Sequence, residues 1–275
     1  MLGLSAQRVR HSMAQTRSYF TDGAAYEQVM ARWSRAVGEV FLDWLALPNG
    51  LRWLDVGCGT GVFTELVLQR CAPRQVSAID PSADQIAYAT AKPAAKAVSF
   101  RLGEAQALPF ADDAFDVAAM ALVISFIPEP ATAIAEMKRV TKPSGTIATY
   151  IWDFLGKGYT QQPLREAIEA LGITLPSQPG HLNSALESLH ATFAAAGLDQ
   201  VATRTIEIEV TYENFEQYWA AQTALANTLV QEIEKMTAPD LERLKNILRE
   251  RLPKDKSARI AYKARANAVK GRVPV

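Results

Sequence analysis

The sequence predicts an α/β fold, a mostly parallel sheet with helices on both faces. Three observations carry that expectation. Short apolar runs alternate with segments of helical period through Asp153, the rhythm of parallel strands joined by crossover helices. Within Leu54-Asp55-Val56-Gly57-Cys58-Gly59-Thr60-Gly61, three glycines fall where a strand pattern gives way to a helix pattern. Twenty-five positions after Asp55, the run Val76-Ser77-Ala78-Ile79 ends in Asp80, followed by Pro81 and Ser82. That is where a βαβ unit places the acid that receives hydrogen bonds from ribose hydroxyls.

The elements follow in order. Tyr26 to Leu47 reads as a helix, with Val29, Met30, Trp33, Val37, Val40, Phe41 and Trp44 on one apolar face. Trp53, Leu54 and Val56 suit a buried strand, and Val62, Phe63, Leu66, Val67 and Arg70 recur at helical spacing. Further on lie the stretch Val98 to Ala105 and the apolar run from Val117 to Ile127, the latter suited to a strand buried on both faces. Phe154 to Gly180 holds Gly156, Gly158, Pro163, Pro176 and Pro179 around one short helical segment, an irregular excursion. Ser184-Ala185-Leu186-Glu187 has the form of a capping box; Leu186, Leu189 and Phe193 share a face, and Gly197 suits the helix end. Thr205 to Thr211 alternates as a strand polar on one side. Phe215–Lys235 and Pro239–Leu252 read as two amphipathic helices, and Arg259 to Val269 as a last strand.

Glycine in the 57–61 loop lets the backbone take positive φ and approach a ligand closely. A dinucleotide fingerprint would put a small residue at position 62, where Val62 stands, with the third glycine one residue early at Gly61. A left-handed turn with no ligand explains the glycines alone about as well. Asp80 likewise has two readings, ribose acceptor or cap of the next helix.

Composition narrows the field. The 275 residues carry 29 basic and 29 acidic side chains, so no global field recruits nucleic acid or acidic lipid. The stretch Lys254, Lys256, Arg259, Lys263, Arg265, Lys270 and Arg272, against Asp255 alone, reads as a solvated face. Cys58 and Cys71 show no paired spacing, which fits a reducing compartment. No run approaches a membrane span. A soluble, cytoplasmic chain is the expectation. Met1 to Thr21, with Arg8, Arg10 and Arg17 and no acid, shares its composition with transit peptides, and a frayed terminus is the preferred alternative. His11, His181 and His190 offer no metal-ligand spacing, and no lysine-bearing phosphate loop occurs.

Taken together and in this order, the motifs from Tyr26 to Trp152 resemble the class I S-adenosylmethionine-dependent methyltransferases, in particular the small-molecule branch called type 11. The resemblance implies a Rossmann-like seven-stranded sheet whose last strand is antiparallel, closed by a hairpin with C-terminal helices inserted between its strands. It implies one domain, with a cofactor-binding core at 26–153 and substrate-side helices and closing strands at 154–275. Gly57, Gly59 and Gly61 would approach the methionine part of the cofactor and Asp80 would hold the ribose. Glu104 and Ala105 would flank the adenine, and Leu122 with Ser125 and Phe126 would close the pocket. Asp55, Cys58 and Pro81 complete that contact set, with Tyr26, Arg32 and Trp33 from a covering helix. This sequence has Glu104 where the family often has Asp, and Ser144-Gly145 where it often has Gly-Gly.

The expected reaction is methyl transfer to a small, apolar or aromatic acceptor. His181, His190 and Asp153 are the candidates for a general base, each with a structural role as its competitor. Trp152, Asp153, Phe154 and Tyr159 stand where substrate loops would emerge. A nicotinamide-dependent oxidoreductase and a non-catalytic cofactor-binding protein are the alternatives. The acceptor, the attacked atom and the oligomeric state are not legible in the sequence.

Overall fold

Five strands run parallel because each is returned by a helix or a long crossover, and the last two strands close the sheet as an antiparallel pair. The computed structural model describes residues 23–224 and 227–275, with only the backbone of 23–30. The expectations for Met1–Thr21 and the side chain of Tyr26 lie outside the described residues.

The strands are β1 (Arg52–Val56), β2 (Gln75–Asp80), β3 (Val98–Leu102), β4 (Phe115–Ala121), β5 (Thr141–Trp152), β6 (Asp199–Tyr212) and β7 (Ile260–Arg272). The sheet order is β3-β2-β1-β4-β5-β7-β6, with β7 antiparallel to both neighbours. The order therefore reverses between β1 and β4, the position at which open α/β sheets bind ligands beyond their strand ends. The expected seven strands and antiparallel last strand are both present.

The helices are α1 (Gly23–Leu45), α2 (Val62–Cys71), α3 (Ala83–Ala91), α4 (Pro130–Val140), α5 (Gln162–Glu169), α6 (Leu186–Ala195), α7 (Phe215–Thr223), α8 (Thr228–Glu234) and α9 (Ala238–Arg251). Alternation along the strands builds two cores. On one face, α1 buries Trp33, Val37, Phe41 and Leu45 with Phe63, Tyr150 and Ala148. On the other, α4 and α6 bury Ile134, Met137, Leu189 and Phe193 against Leu54, Val56 and Met120. Each such side chain contributes about 1.5–3 kcal/mol on leaving water, which fixes the helices that frame the upper edge of the sheet.

Three local expectations differ from the structure. The apolar run after Val117 leaves the sheet at Ala121 and closes in a 3₁₀ turn at Ile124–Phe126. Ser184 is not a capping residue, because Ala185 is the N-cap of α6 and makes no side-chain bond. Ser184 instead donates to the His181 carbonyl at 2.6 Å and accepts from Leu155 N–H at 3.1 Å, tying two turns together. The segment expected as one helix over Phe215–Lys235 is two, since the Asn227 side chain accepts from Leu229 and Val230 N–H and starts α8 afresh.

Candidate functional site

The loop after β1 is built by backbone conformation. Gly57, Gly59 and Gly61 have φ of 75°, 53° and 84°, a region that L side chains enter at a cost of about 1–2 kcal/mol. Gly57 and Cys58 both donate to the Ile79 carbonyl, at 2.7 and 3.0 Å, which staples the loop across the end of β2. A Cβ on Gly57 would lie 2.6 Å from both Val123 methyls, whereas one on Gly59 would meet nothing nearer than Gln85 Oε1 at 3.8 Å. So Gly57 is fixed by packing against the end of β4, and the Gly59 side is the open one. Gly61 starts α2 with no side-chain cap, and the first-turn N–H groups of that helix favour an electron-rich partner.

Two carboxylates lie beneath this loop. Asp55 accepts from Thr64 Oγ1 at 2.5 Å, while its Oδ1 is buried without a partner among the described residues. Burial pushes its carboxyl up to about 7, with Thr64 opposing and the Asp80 charge adding to the rise. Asp80 accepts from Gly59 N–H at 2.8 Å through one oxygen and from Ser82 N–H at 2.9 Å through the other. Burial raises this acid too, against those two bonds. The cap of α3 is Ser82, which accepts from Gln85 N–H, so Asp80 is not itself the cap but ties the glycine loop to the capping residue. Each Asp80 oxygen retains acceptor capacity beyond its one bond. Cys58 is buried, and burial drives its thiol well above the ordinary range, a state unsuited to nucleophilic attack. Pro81 is exposed beside this acid.

The next strand ends complete the rim. Gly103 N–H donates to the Asp80 carbonyl at 3.1 Å, and a Cβ there would strike Ile79 Cδ1 at 2.6 Å. The loop therefore leaves β3 pressed against β2, placing exposed Glu104 and half-buried Ala105 beside Asp80. At the end of β4, Leu122 has φ of 63° and donates to the Tyr150 carbonyl at 2.9 Å. That turn aims Val123 at the glycine loop. Ser125 Oγ is buried without a partner among the described residues, and Gly180 presses on its backbone, since a Cβ there would lie 2.7 Å from Ser125 Cα.

Three aromatic residues, Trp152, Phe154 and Tyr159, lie where β5 ends and pack into or against the core on the α1 face. Trp152 and Tyr159 are buried, Phe154 and Tyr159 meet edge to face at 5.3 Å, and Gln178 Nε2 donates to Tyr159 Oη at 3.2 Å. Asp153 is committed within this turn. Its carboxylate accepts from Gly156 N–H at 2.8 Å and from Arg265 Nη2 at 3.0 Å, an arrangement that holds the turn on β7. His181 lies half-buried in the following turn, and His190 is exposed on α6. The structure does not bring Arg32 and Trp33 to the glycine loop. Arg32 donates to the Thr211 carbonyl at 2.6 Å and lies 5.6 Å from the Tyr212 ring centroid. Trp33 packs 6.0 and 5.7 Å from Tyr212 and Tyr262. Three of the basic C-terminal residues are ion-paired: Arg259 to Asp255, Lys263 to Glu207 and Arg265 to Asp153.

No group of three or more metal-ligating side chains is clustered among the described residues, and no helix among them is long and apolar enough to cross a membrane.

Residues 54–149, which span this loop, both acids, strands β2 to β4 and most of β5, match the family described as methyltransferase domain. The chain is 36% identical over 118 residues to the malonyl-[acyl-carrier protein] O-methyltransferase of Pectobacterium atrosepticum, covering 43% of this chain and 45% of that protein. It is 33% identical over 165 residues to the demethylmenaquinone methyltransferase of Renibacterium salmoninarum, covering 58% and 66%. The chain spans about half the length of the first of these curated relatives. Its fold is shared with the Haemonchus contortus phosphoethanolamine N-methyltransferase 2, a structure with S-adenosylhomocysteine, at a TM-score of 0.58, 17% identity and coverage of 97% and 60%.

Proposed function

Residues 54–149 belong to the methyltransferase-domain family, and from that premise we propose that this chain binds S-adenosylmethionine and transfers its methyl group to a small acceptor with an apolar or aromatic body. The observation that carries the reading is Asp80, whose two oxygens hold Gly59 N–H and Ser82 N–H beside the open Gly59 face. The site suits the cofactor chemically. A ligand bearing a sulfonium and an ammonium would meet the Asp55 and Asp80 carboxyls, and the buried Asp55 Oδ1 would gain a donor. Ribose hydroxyls would use the remaining lone pairs of Asp80. Glu104 and Ala105 would edge the base, and Leu122 would close over it.

When bound, the cofactor supplies an electrophilic methyl group that needs an acceptor lone pair in line with the sulfur–carbon bond. The protein's part is to orient the pair and exclude water. Phe126 after β4, Trp152 at the end of β5, and Phe154 and Tyr159 after it would give an acceptor apolar surroundings, which favours an apolar or aromatic body. Asp153 is held by Arg265 and Gly156 and serves to shape that turn, which leaves His181, in the turn at 181–184, as the candidate for a proton acceptor.

The test is turnover. With methyl-labelled cofactor and a panel of acceptors, label should pass to a phenolic, quinol or acyl-type apolar acceptor in the wild type. Transfer only to nucleic acid or a basic protein tail, or none across the panel despite cofactor binding, would sink the acceptor reading.

A further inference from the structure

Residues 103–114 join β3 to β4 without regular secondary structure, so their backbone groups must find partners outside a ladder. Two helix side chains, Glu136 and Arg139 on α4, provide them. Arg139 Nη2 donates to the Leu108 carbonyl at 2.9 Å, and Nη1 donates to the Phe110 carbonyl at 2.8 Å and to Asp112 Oδ1 at 2.7 Å. The same guanidinium grips Glu136 through Nε and Nη2, both at 2.7 Å, and Glu136 in turn accepts from Leu108 N–H at 2.8 Å. The main chain of Arg139 also accepts from Asp113 N–H at 3.1 Å. The guanidinium beside it holds the Glu136 carboxyl below its ordinary range.

The loop is thereby fixed at two places. Its upper end hangs on the Asp80 carbonyl through Gly103 N–H, and its lower end is held by one planar fork of donors at Leu108, Phe110 and Asp112. Between them lies the Glu104–Ala107 turn, closed by Ala107 N–H to the Glu104 carbonyl at 3.2 Å. Only a guanidinium offers five donors in one rigid plane. A lysine at this place would keep the charge and lose the fork.

We propose that Arg139, paired with Glu136, is the positioning residue for the loop carrying Glu104 and Ala105, and that it sets cofactor affinity without touching the cofactor. The inference rests on the reading that this loop edges the adenine. Its physical content is a population: a loop that holds its binding conformation about one fifth of the time weakens apparent affinity about fivefold.

The experiment is calorimetric titration of S-adenosylhomocysteine into the full chain, alongside hydrogen exchange of the ligand-free protein. Arg139→Met and Arg139→Lys should each raise Kd at least fivefold and speed exchange of amides in 103–113 more than elsewhere. Lys142→Met removes a different ion pair, Lys142 Nζ to Asp116 at 2.5 Å, and should leave Kd within about twofold. A smaller rise for Arg139→Met, full rescue by lysine, an equal rise for Lys142→Met, or exchange accelerated uniformly over the sheet would overturn the inference. Should Arg139→Met fail to fold, Glu136→Gln reads the same loop, and an unchanged Kd there overturns the inference equally. Absence of binding by the wild type would instead remove the cofactor reading, while loop exchange in the variants still reports whether the clamp exists.

Discussion

Replacing Asp55 by asparagine should change how stability depends on pH, because the folded chain holds this acid protonated over a range where the unfolded chain does not. The carboxyl rises from an ordinary 3.8 to about 7, chiefly through burial. A group whose folded value is raised binds more protons folded than unfolded between the two values, so its contribution is full below 3.8 and declines as pH rises through the window to about 7. At about 1.36 kcal/mol per unit, the loss amounts to roughly 4 kcal/mol at neutral pH. Asparagine retains an acceptor for Thr64 and carries no charge, so Asp55→Asn should escape that loss. Any cost of its buried amide is independent of pH and leaves the slope untouched. The assay is urea denaturation of both proteins at a series of pH values from 4 to 8. The difference in unfolding free energy should move in favour of the variant as pH rises and level off above about 7. A flat difference, or one moving toward the wild type, would refute the claim that burial dominates at Asp55.

The other predictions are sharper in outcome. Asp80→Ala should weaken S-adenosylhomocysteine binding by roughly 1.5–3 kcal/mol, about one to two orders of magnitude, read by calorimetry; Asp80→Asn, which keeps one carbonyl oxygen, should fall between the two. Gly57→Ala forces a side chain into positive φ and against Val123, so chemical denaturation should show a loss of about 2–4 kcal/mol. Tyr218→Phe should be neutral or stabilising, since its buried hydroxyl has no partner among the described residues, whereas Tyr262→Phe should cost about 1 kcal/mol because that hydroxyl donates to the Thr160 carbonyl at 2.7 Å. Equal effects of the two substitutions would contradict this hydrogen-bond assignment.

The parts of the site that were legible in the sequence are those written in a local period. The glycines of 57–61 sit where a buried strand gives way to period 3.6, and Asp80 ends a second apolar run, so the places of loop and acid follow from spacing, while their roles came from the family resemblance. What was not legible depends on contacts between distant residues. Arg139 looks like one charge on a helix, and its partners at Leu108 and Phe110 are main-chain carbonyls that leave no mark in sequence. Arg32 and Trp33 sit on the expected helix, but there Tyr212 and Tyr262 of the closing hairpin claim them. Ser184 has the right neighbours for a cap, yet the turn at His181 takes its hydroxyl first. The break at Asn227 was not legible, because it shows only in the structure, where its side chain accepts from Leu229 and Val230 N–H.

The most direct test is whether the wild-type chain binds the sulfur cofactor at this loop. Titration of S-adenosylmethionine and S-adenosylhomocysteine, each alone, should give saturable heat that Asp80→Ala diminishes, and a nicotinamide dinucleotide should give none. Heat with the dinucleotide and none with either sulfur compound would contradict the account.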